Sequence, residues 1–345
     1  MPVPALLQNT LRIPAIAAPM FLASGPELVI ETCKSGVLGT FPALNQRTTE
    51  GFEQWVIQIK ASLLAYENHT GRKAAPYGVN LIAHKSNPRL QADLAVCVKH
   101  EVPLIITSLG AVSELVDQVH NYGGLVFHDV INTRFARKAA GAGVDGLICV
   151  AGGAGGHAGT WNPFALLAEI RQFFDKTILL AGCISSGQDI AAAQMMGADL
   201  AYMGTRFINT AESLVNDDYR QMIMDAQAGD IVYTPKVSGV HASFMRASMV
   251  AAGLDPDDLR PKEKIDYGAD LSIDASTAGN ANDGQKSAEK KKMGAWADIW
   301  SAGQGVGAIQ DVVPVADLVT RLEKEYHQSI LARNEDYLAC YGKRD

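Results

Sequence analysis

The sequence predicts an α/β fold, a (β/α)8 barrel carrying an inserted, mainly helical cap. Three observations lead there. Between Pro14 and Thr210, eight short apolar runs alternate with longer amphipathic ones. Two of the amphipathic runs end in glycine and re-enter an apolar run after a very short connection. Beyond Thr210 the alternation stops. Short, continuously apolar runs suit parallel strands buried on both faces, and eight βα units make one closed barrel. A doubly wound sheet gives the same alternation and is the alternative.

The predicted strands are Ile16–Ala18, Val37–Phe41, Tyr77–Asn80, Leu104–Thr107, Leu125–His128, Gly146–Val150, Ile178–Ala181 and Ala201–Gly204. After the fifth, 132–142 reads as a helix stopped by Gly143; after the seventh, 186–196 reads as a helix stopped by Gly197. Glycine at such a stop supplies the left-handed conformation that ends a helix. Residues 211–265 read as mainly helical, with MIMDAQ and HASFMRASMVAAGL as apolar-striped pieces. The segment 268–292 is polar, glycine-containing and almost free of aromatics, and reads as a mobile loop on the cap. A last helix runs from Val315 to about Arg333. The chain thus divides into a barrel, 1–210 with 298–345, and a cap, 211–297.

The 345 residues are 48% hydrophobic and 19% charged with a net charge of -7, which fits a soluble globular protein with a large core. That acidic balance speaks against nucleic acid or an anionic membrane as partner. The cluster Lys290, Lys291 and Lys292 reads as a solvated surface. Cys33, Cys97, Cys149, Cys183 and Cys340 show no metal-binding spacing, and most sit in apolar or glycine-flanked interiors, so buried free thiols are expected. The opening MPVPALLQNTLRIP lacks the pattern of a signal peptide, and no apolar run is long enough to span a bilayer. A cytoplasmic protein is the expectation, with a homo-oligomer left open.

In such a barrel chemistry gathers at the C-terminal strand ends. The first strand leads into Ala18-Pro19-Met20, the third ends in Asn80, and the fifth in His128-Asp129. The sixth runs into VAGGAGGHAGT, which holds Gly155, Gly156 and His157. The seventh gives AGCISSG with Ala181, Gly182 and Cys183, and the eighth gives MGTRF with Gly204, Thr205 and Arg206. The last two place small residues and backbone N–H groups at helix starts, a phosphate cradle to which Arg206 adds charge. A phosphorylated substrate and the phosphate of flavin mononucleotide both suit it. For a flavin, Ala18-Pro19-Met20 offers bare backbone near the ring and Asn80 an amide for its pyrimidine end. His157 stands in a glycine frame that leaves room on both sides, and imidazole titrates near neutrality, which suits proton transfer. No GxSxG, HExxH or Walker pattern occurs, no metal site is expected, and GGAGG misses the dinucleotide-binding register.

Several stretches together resemble the nitronate monooxygenase family, formerly called 2-nitropropane dioxygenases. They are VAGGAGGHAGTWNPFALL, AGCISSGQDIAAAQMMGAD and AYMGTRFINTAES, with IAAPMFLASG, YGVNL and IWSAGQGVG in support. The GGHxG element alone also resembles flavin-dependent enoyl-ACP reductases. The resemblance implies an FMN-dependent barrel with an added helical domain. It implies that Ala18, Pro19, Met20, Asn80 and His128 line the flavin, beside Gly155 and Gly156. It further implies phosphate contacts at Ala181, Gly182, Cys183, Gly204 and Thr205, an approach of Gln304 from the cap, and His157 as catalytic base or as electrostatic partner of an anion. Some relatives place a lysine where this chain has Asp129, which leaves the role of Asp129 open.

The implied activity is oxidation of alkyl nitronates, and of nitroalkanes, with dioxygen to a carbonyl compound and nitrite. The alternatives are an NAD(P)H-dependent flavin reductase acting on quinones or enoyl thioesters, and a flavin-free barrel that binds a phosphorylated metabolite.

Overall fold

The computed structural model describes residues 3–110, 112–259, 296 and 298–340. The predicted mobile loop 268–292 and its lysine cluster lie outside the described residues.

Eight parallel strands close into a barrel: β1 (Ala15–Ala17), β2 (Leu38–Pro42), β3 (Tyr77–Ile82), β4 (Leu104–Ser108), β5 (Leu125–Val130), β6 (Gly146–Val150), β8 (Thr177–Ala181) and β9 (Leu200–Met203). They follow one another around the ring in chain order, and β9 returns to β1 with Ile16 opposite Tyr202. Every strand read from the sequence is present, shifted at its ends by no more than two residues. Side chains alternate across each strand. One set fills the lumen, among them Ile16, Leu38, Ile106, Phe127, Ile148 and Leu179. The other set, including Ala17, Val79, Ile105, Val126 and Leu180, meets the surrounding helices.

Local chemistry explains where the helices begin and end. In α5 (Thr133–Gly141) the Asn132 side chain accepts from the Phe135 N–H at 3.0 Å, and Gly143 follows with φ +91°. In α7 (Gly187–Met195) Ser186 and Asp189 form a reciprocal capping box, and Gly197 follows with φ +102°. These are the predicted glycine stops. The remaining barrel helices are α1 (Pro26–Lys34), α2 (Thr49–Thr70), α3 (Leu90–Lys99), α4 (Ser113–His120) and α6 (Pro163–Arg171), with a single turn, α8 (Thr205–Ile208), after β9.

Past β9 the chain builds α9 (Asp217–Asp225), β10 (Ile231–Thr234), β11 (Ala242–Met245) and α10 (Arg246–Ala251). One expectation is corrected here. The stretch HASFMRASMVAAGL is not helical throughout, because Ala242–Met245 is a strand and only the part from Arg246 is helix. The strand wins because its backbone has partners on both sides: β10 on one and the two-residue β7 (Gly156–His157) on the other, both antiparallel. Its Ala242 and Phe244 bury themselves with Met249 and Ile299. The chain then returns to the barrel, where Thr210 bridges Val313, and ends in α11 (Val315–Cys340). This helix lies so close on α7 that a Cβ on Gly187 would stand 2.2 Å from the Leu322 carbonyl oxygen. No described helix is long and apolar enough to cross a membrane.

Candidate active site

The C-terminal strand ends and the segments above them enclose a cavity of about 1590 Å³. That exceeds the roughly 300–1,000 Å³ of ordinary small-molecule pockets and leaves room for a flat cofactor beside a substrate.

The glycine-rich stretch after β6 forms one wall, held in place mostly by residues far away in sequence. The Gly153 carbonyl accepts from the Gln304 N–H at 2.8 Å, and the Ala154 carbonyl from the Ser243 hydroxyl at 2.8 Å. The Gly156 N–H donates to Ser301 Oγ at 2.7 Å, and that hydroxyl donates onward to the Ser243 carbonyl at 2.6 Å. Tyr233 Oη donates to the Ala158 carbonyl at 2.7 Å. The glycines serve two ends. A Cβ on Gly155 would stand 2.9 Å from the Gly303 nitrogen, so glycine there permits close backbone approach. Gly156 has φ +68° and open space where a side chain would project, on the cavity side.

His157 follows directly. Its backbone pairs with Ala242, which fixes where the ring begins, and the indole of Trp296 packs against it. The side chain is exposed and opens into the cavity, and the protein atoms packed around the ring lower its pKa to about 4. The imidazole is therefore neutral at pH 7, in the form that accepts a proton.

The floor is the last layer of the barrel lumen. Asn80 Nδ2 donates to Ser108 Oγ at 2.8 Å and to the Ile106 carbonyl at 3.2 Å. The Ser108 hydroxyl in turn donates to Asp129 Oδ2. Asp129 Oδ1 is buried without a hydrogen-bond partner, and burial raises the Asp129 pKa to about 6. Tyr202 enters the same layer from β9. His128 reaches the cavity wall, but alternation turns it away from the lumen, and its Nδ1 shares a hydrogen bond with Thr107 Oγ1 at 2.7 Å. Burial depresses its pKa to about 4.

At the end of β8 the backbone turns tightly, with Gly182 at φ +127° and Cys183 at φ +57°. Ala181, Gly182, Cys183, Gly204 and Thr205 all line the cavity. The helix start that follows is already satisfied. The N–H groups of Ser185 and Ser186 go to Asp189 Oδ2 at 3.0 and 2.9 Å, and that of Gly187 to Glu325 Oε2 at 2.8 Å. Any phosphate cradle therefore lies before this helix rather than on it. A Cβ on Gly204 would point between Ala18 and Met20, with 3.9 Å to either, so this glycine leaves a gap on the cavity side.

Two expectations, for Arg206 and for the cysteines, are corrected by this geometry. Arg206 turns away from the cavity and pairs with Asp311 at 2.8 Å, because the single turn of α8 carries it to the buried side. The Gln304 N–H is bound to Gly153, its Oε1 lies 2.8 Å from where a Cβ on Gly153 would stand, and its neighbours Gly303 and Gly305 line the cavity. Cys33, Cys97 and Cys149 are buried free thiols, but Cys183 is exposed. Sequence reasoning also passed over residues that shape the site. Asn45 anchors the loop after β1 by donating to the Met20 and Ser24 carbonyls at 3.1 and 2.8 Å. Ser108 and Ser301 are ordinary serines in the sequence, with no motif to mark them. Among the described residues no group of three or more metal-ligating side chains comes together.

The chain matches the family model described as nitronate monooxygenase over residues 5–325. It is 28% identical to a nitronate monooxygenase of Paraburkholderia phytofirmans, over 92% of this chain and 93% of that protein. It is 27% identical to a (3aS,4S,5R,7aS)-5-hydroxy-7a-methyl-1-oxo-octahydro-1H-indene-4-carboxyl-CoA dehydrogenase of Rhodococcus jostii, over 69% of this chain and 64% of that protein. Among solved structures, a nitroalkane oxidase from Streptomyces ansochromogenes superposes with a TM-score of 0.76 at 23% identity, over 95% of this chain and all of that one, 100%.

Proposed function

The chain belongs to the nitronate monooxygenase family, and from that premise we propose that it oxidises alkyl nitronates, and nitroalkanes, with dioxygen to a carbonyl compound and nitrite. It is a flavin oxidoreductase, and its cofactor is FMN. When bound, FMN supplies the electron-accepting chemistry. The chain supplies the rest. Gly182, Cys183, Gly204 and Thr205 would hold the phosphate, where left-handed backbone and the absent side chain of Gly204 leave a cradle. Ala18, Pro19, Met20 and Asn80 would line the ring, with Gly155 and Gly156 clearing space for the substrate.

One observation carries the proposal: the His157 imidazole opens into a cavity large enough for cofactor and substrate together. A neutral ring nitrogen takes the α-proton of a nitroalkane, whereas an anion-binding partner would have to be an imidazolium. This favours the base role over the electrostatic one. A nitronate supplied directly has already lost that proton and needs no base.

An anaerobic stopped-flow comparison tests the reading. Mixing the FMN-loaded enzyme with an alkyl nitronate is expected to bleach the flavin rapidly, and mixing it with NADH is expected not to. Fast bleaching by NADH with an inert nitronate would overturn the proposal in favour of a reductase.

A further inference from the structure

Below its last layer the barrel lumen is lined mostly by apolar side chains, and in that layer it turns polar on one side. The hydrogen bonds of that layer run in one direction, from Asn80 Nδ2 to Ser108 Oγ and from the Ser108 hydroxyl to Asp129 Oδ2. Asp129 thus receives a single hydrogen bond, while its Oδ1 is buried with none.

Among the described residues, the groups packed around it form no ion pair with it. From β4 comes only Ser108, and from β6 the residue in register is Ile148. From β9 comes the Tyr202 phenol, itself held un-ionised by burial and by Asp129. On its own strand, His128 is neutral and turned outward. Lys138 of α5 and His157 of β7 line the same cavity without an ion pair to Asp129. A carboxylate buried with one donor and no cation is costly, and a carboxylic acid in the same place is not. Its raised pKa, about 6, agrees with that geometry.

We propose that Asp129 is the proton-exchanging acid of this cavity: it takes up one proton whenever negative charge enters, so an anionic ligand or a reduced cofactor arrives together with H⁺. The step is a proton uptake alone, from solvent to a carboxylate oxygen, with no electron moved on the protein. Asp129 is in this sense a specificity-determining residue. With Asp129 protonated the cavity accepts an anion; with Asp129 ionised it disfavours one. The inference rests on the functional reading above only for the identity of the cofactor.

Two measurements test it. In the FMN-free full chain, infrared difference spectra between pH 5 and pH 8 are expected to show the carbonyl band of a buried carboxylic acid, lost in Asp129→Asn. In Ser108→Ala, which removes the one donor to the carboxylate, the midpoint of that band is expected to move to higher pH. Spectra identical in the wild type and Asp129→Asn, or a midpoint unmoved by Ser108→Ala, would overturn the proposal. In the FMN-loaded protein, the two-electron midpoint potential above pH 6 is expected to fall more steeply in the wild type than in Asp129→Asn. The difference is one proton, a tenfold change per pH unit or about 30 mV for a two-electron couple. Equal slopes overturn the proposal. A chain that binds no FMN refutes the functional reading, and the infrared result still decides for Asp129.

Discussion

The indole of Trp296 stands edge-on to the imidazole of His157, with ring centroids 5.2 Å apart and planes at 73°. An aromatic wall of this kind withholds water from one side of the ring and helps keep it neutral. His157→Ala is expected to leave FMN bound, to slow turnover of neutral nitroalkanes by about 10²–10⁴-fold, and to change nitronate turnover little. Steady-state rates on a matched nitroalkane and nitronate check this. The wild-type rate on nitroalkanes should lose its base only as pH falls toward 4. Unchanged nitroalkane turnover in His157→Ala would refute the base role.

Ser301 joins the wall to the cap sheet through one hydroxyl, accepting from Gly156 and donating to Ser243. Ser301→Ala leaves a part-buried N–H and a carbonyl without that partner. The expected cost is about 1–3 kcal/mol in urea unfolding, with faster amide exchange at Gly156.

Two adjacent glycines should respond differently to the same change. Gly155→Ala puts a Cβ 2.9 Å from the Gly303 nitrogen and must push the 302–304 segment away. Gly156→Ala meets nothing and pays only for its left-handed backbone, about 1–2 kcal/mol. Thermal unfolding of both variants, with FMN affinity measured alongside, should therefore show Gly155→Ala as the more damaging.

His128 and Asp129 are neighbours with opposed linkage to pH. His128 titrates near 4 in the fold against about 6.5 unfolded, so the stability it brings is lost as pH falls through that window, about 3 kcal/mol in all. Asp129 titrates near 6 in the fold against about 3.9 unfolded, so its contribution is full at low pH and lost as pH rises toward and past 6. Between pH 4 and 6 the two slopes largely cancel. Asp129→Asn should expose the acid loss due to His128, and His128→Gln should expose a gain in stability on acidification. Urea midpoints at pH 4, 5 and 6 measure both.

The barrel was legible because its signal is local. Each strand is a short apolar run, and the helix stops at Gly143 and Gly197 lie where the chain must turn left-handed. The candidate site was legible as far as strand ends could carry it, so Ala18, Asn80, Gly182, Gly204 and His157 do share one cavity. What the sequence hid depends on pairing over distance. Nothing near Gly156 and His157 announces a strand, because their partner is Ala242–Ser243, and nothing in Ser108 announces a link between Asn80 and Asp129. Arg206 misled for the same reason. A cation beside a phosphate-like loop looks like a ligand until Asp311, more than a hundred residues later, is found to hold it.

The ties from Ser301 and Gln304 to the glycine wall also set a timetable for biosynthesis. A ribosome has delivered all eight barrel strands once Met203 is out, yet Gly156 and Gly153 still lack the Ser301 hydroxyl and the Gln304 N–H that hold them. Those arrive only when residues 301–304 leave the exit tunnel, long after the last barrel strand. A nascent barrel is thus topologically finished well before its site is framed, and a chain interrupted before Ser301 would fold a scaffold whose glycine wall rests on the cap sheet alone, without Ser301 and Gln304.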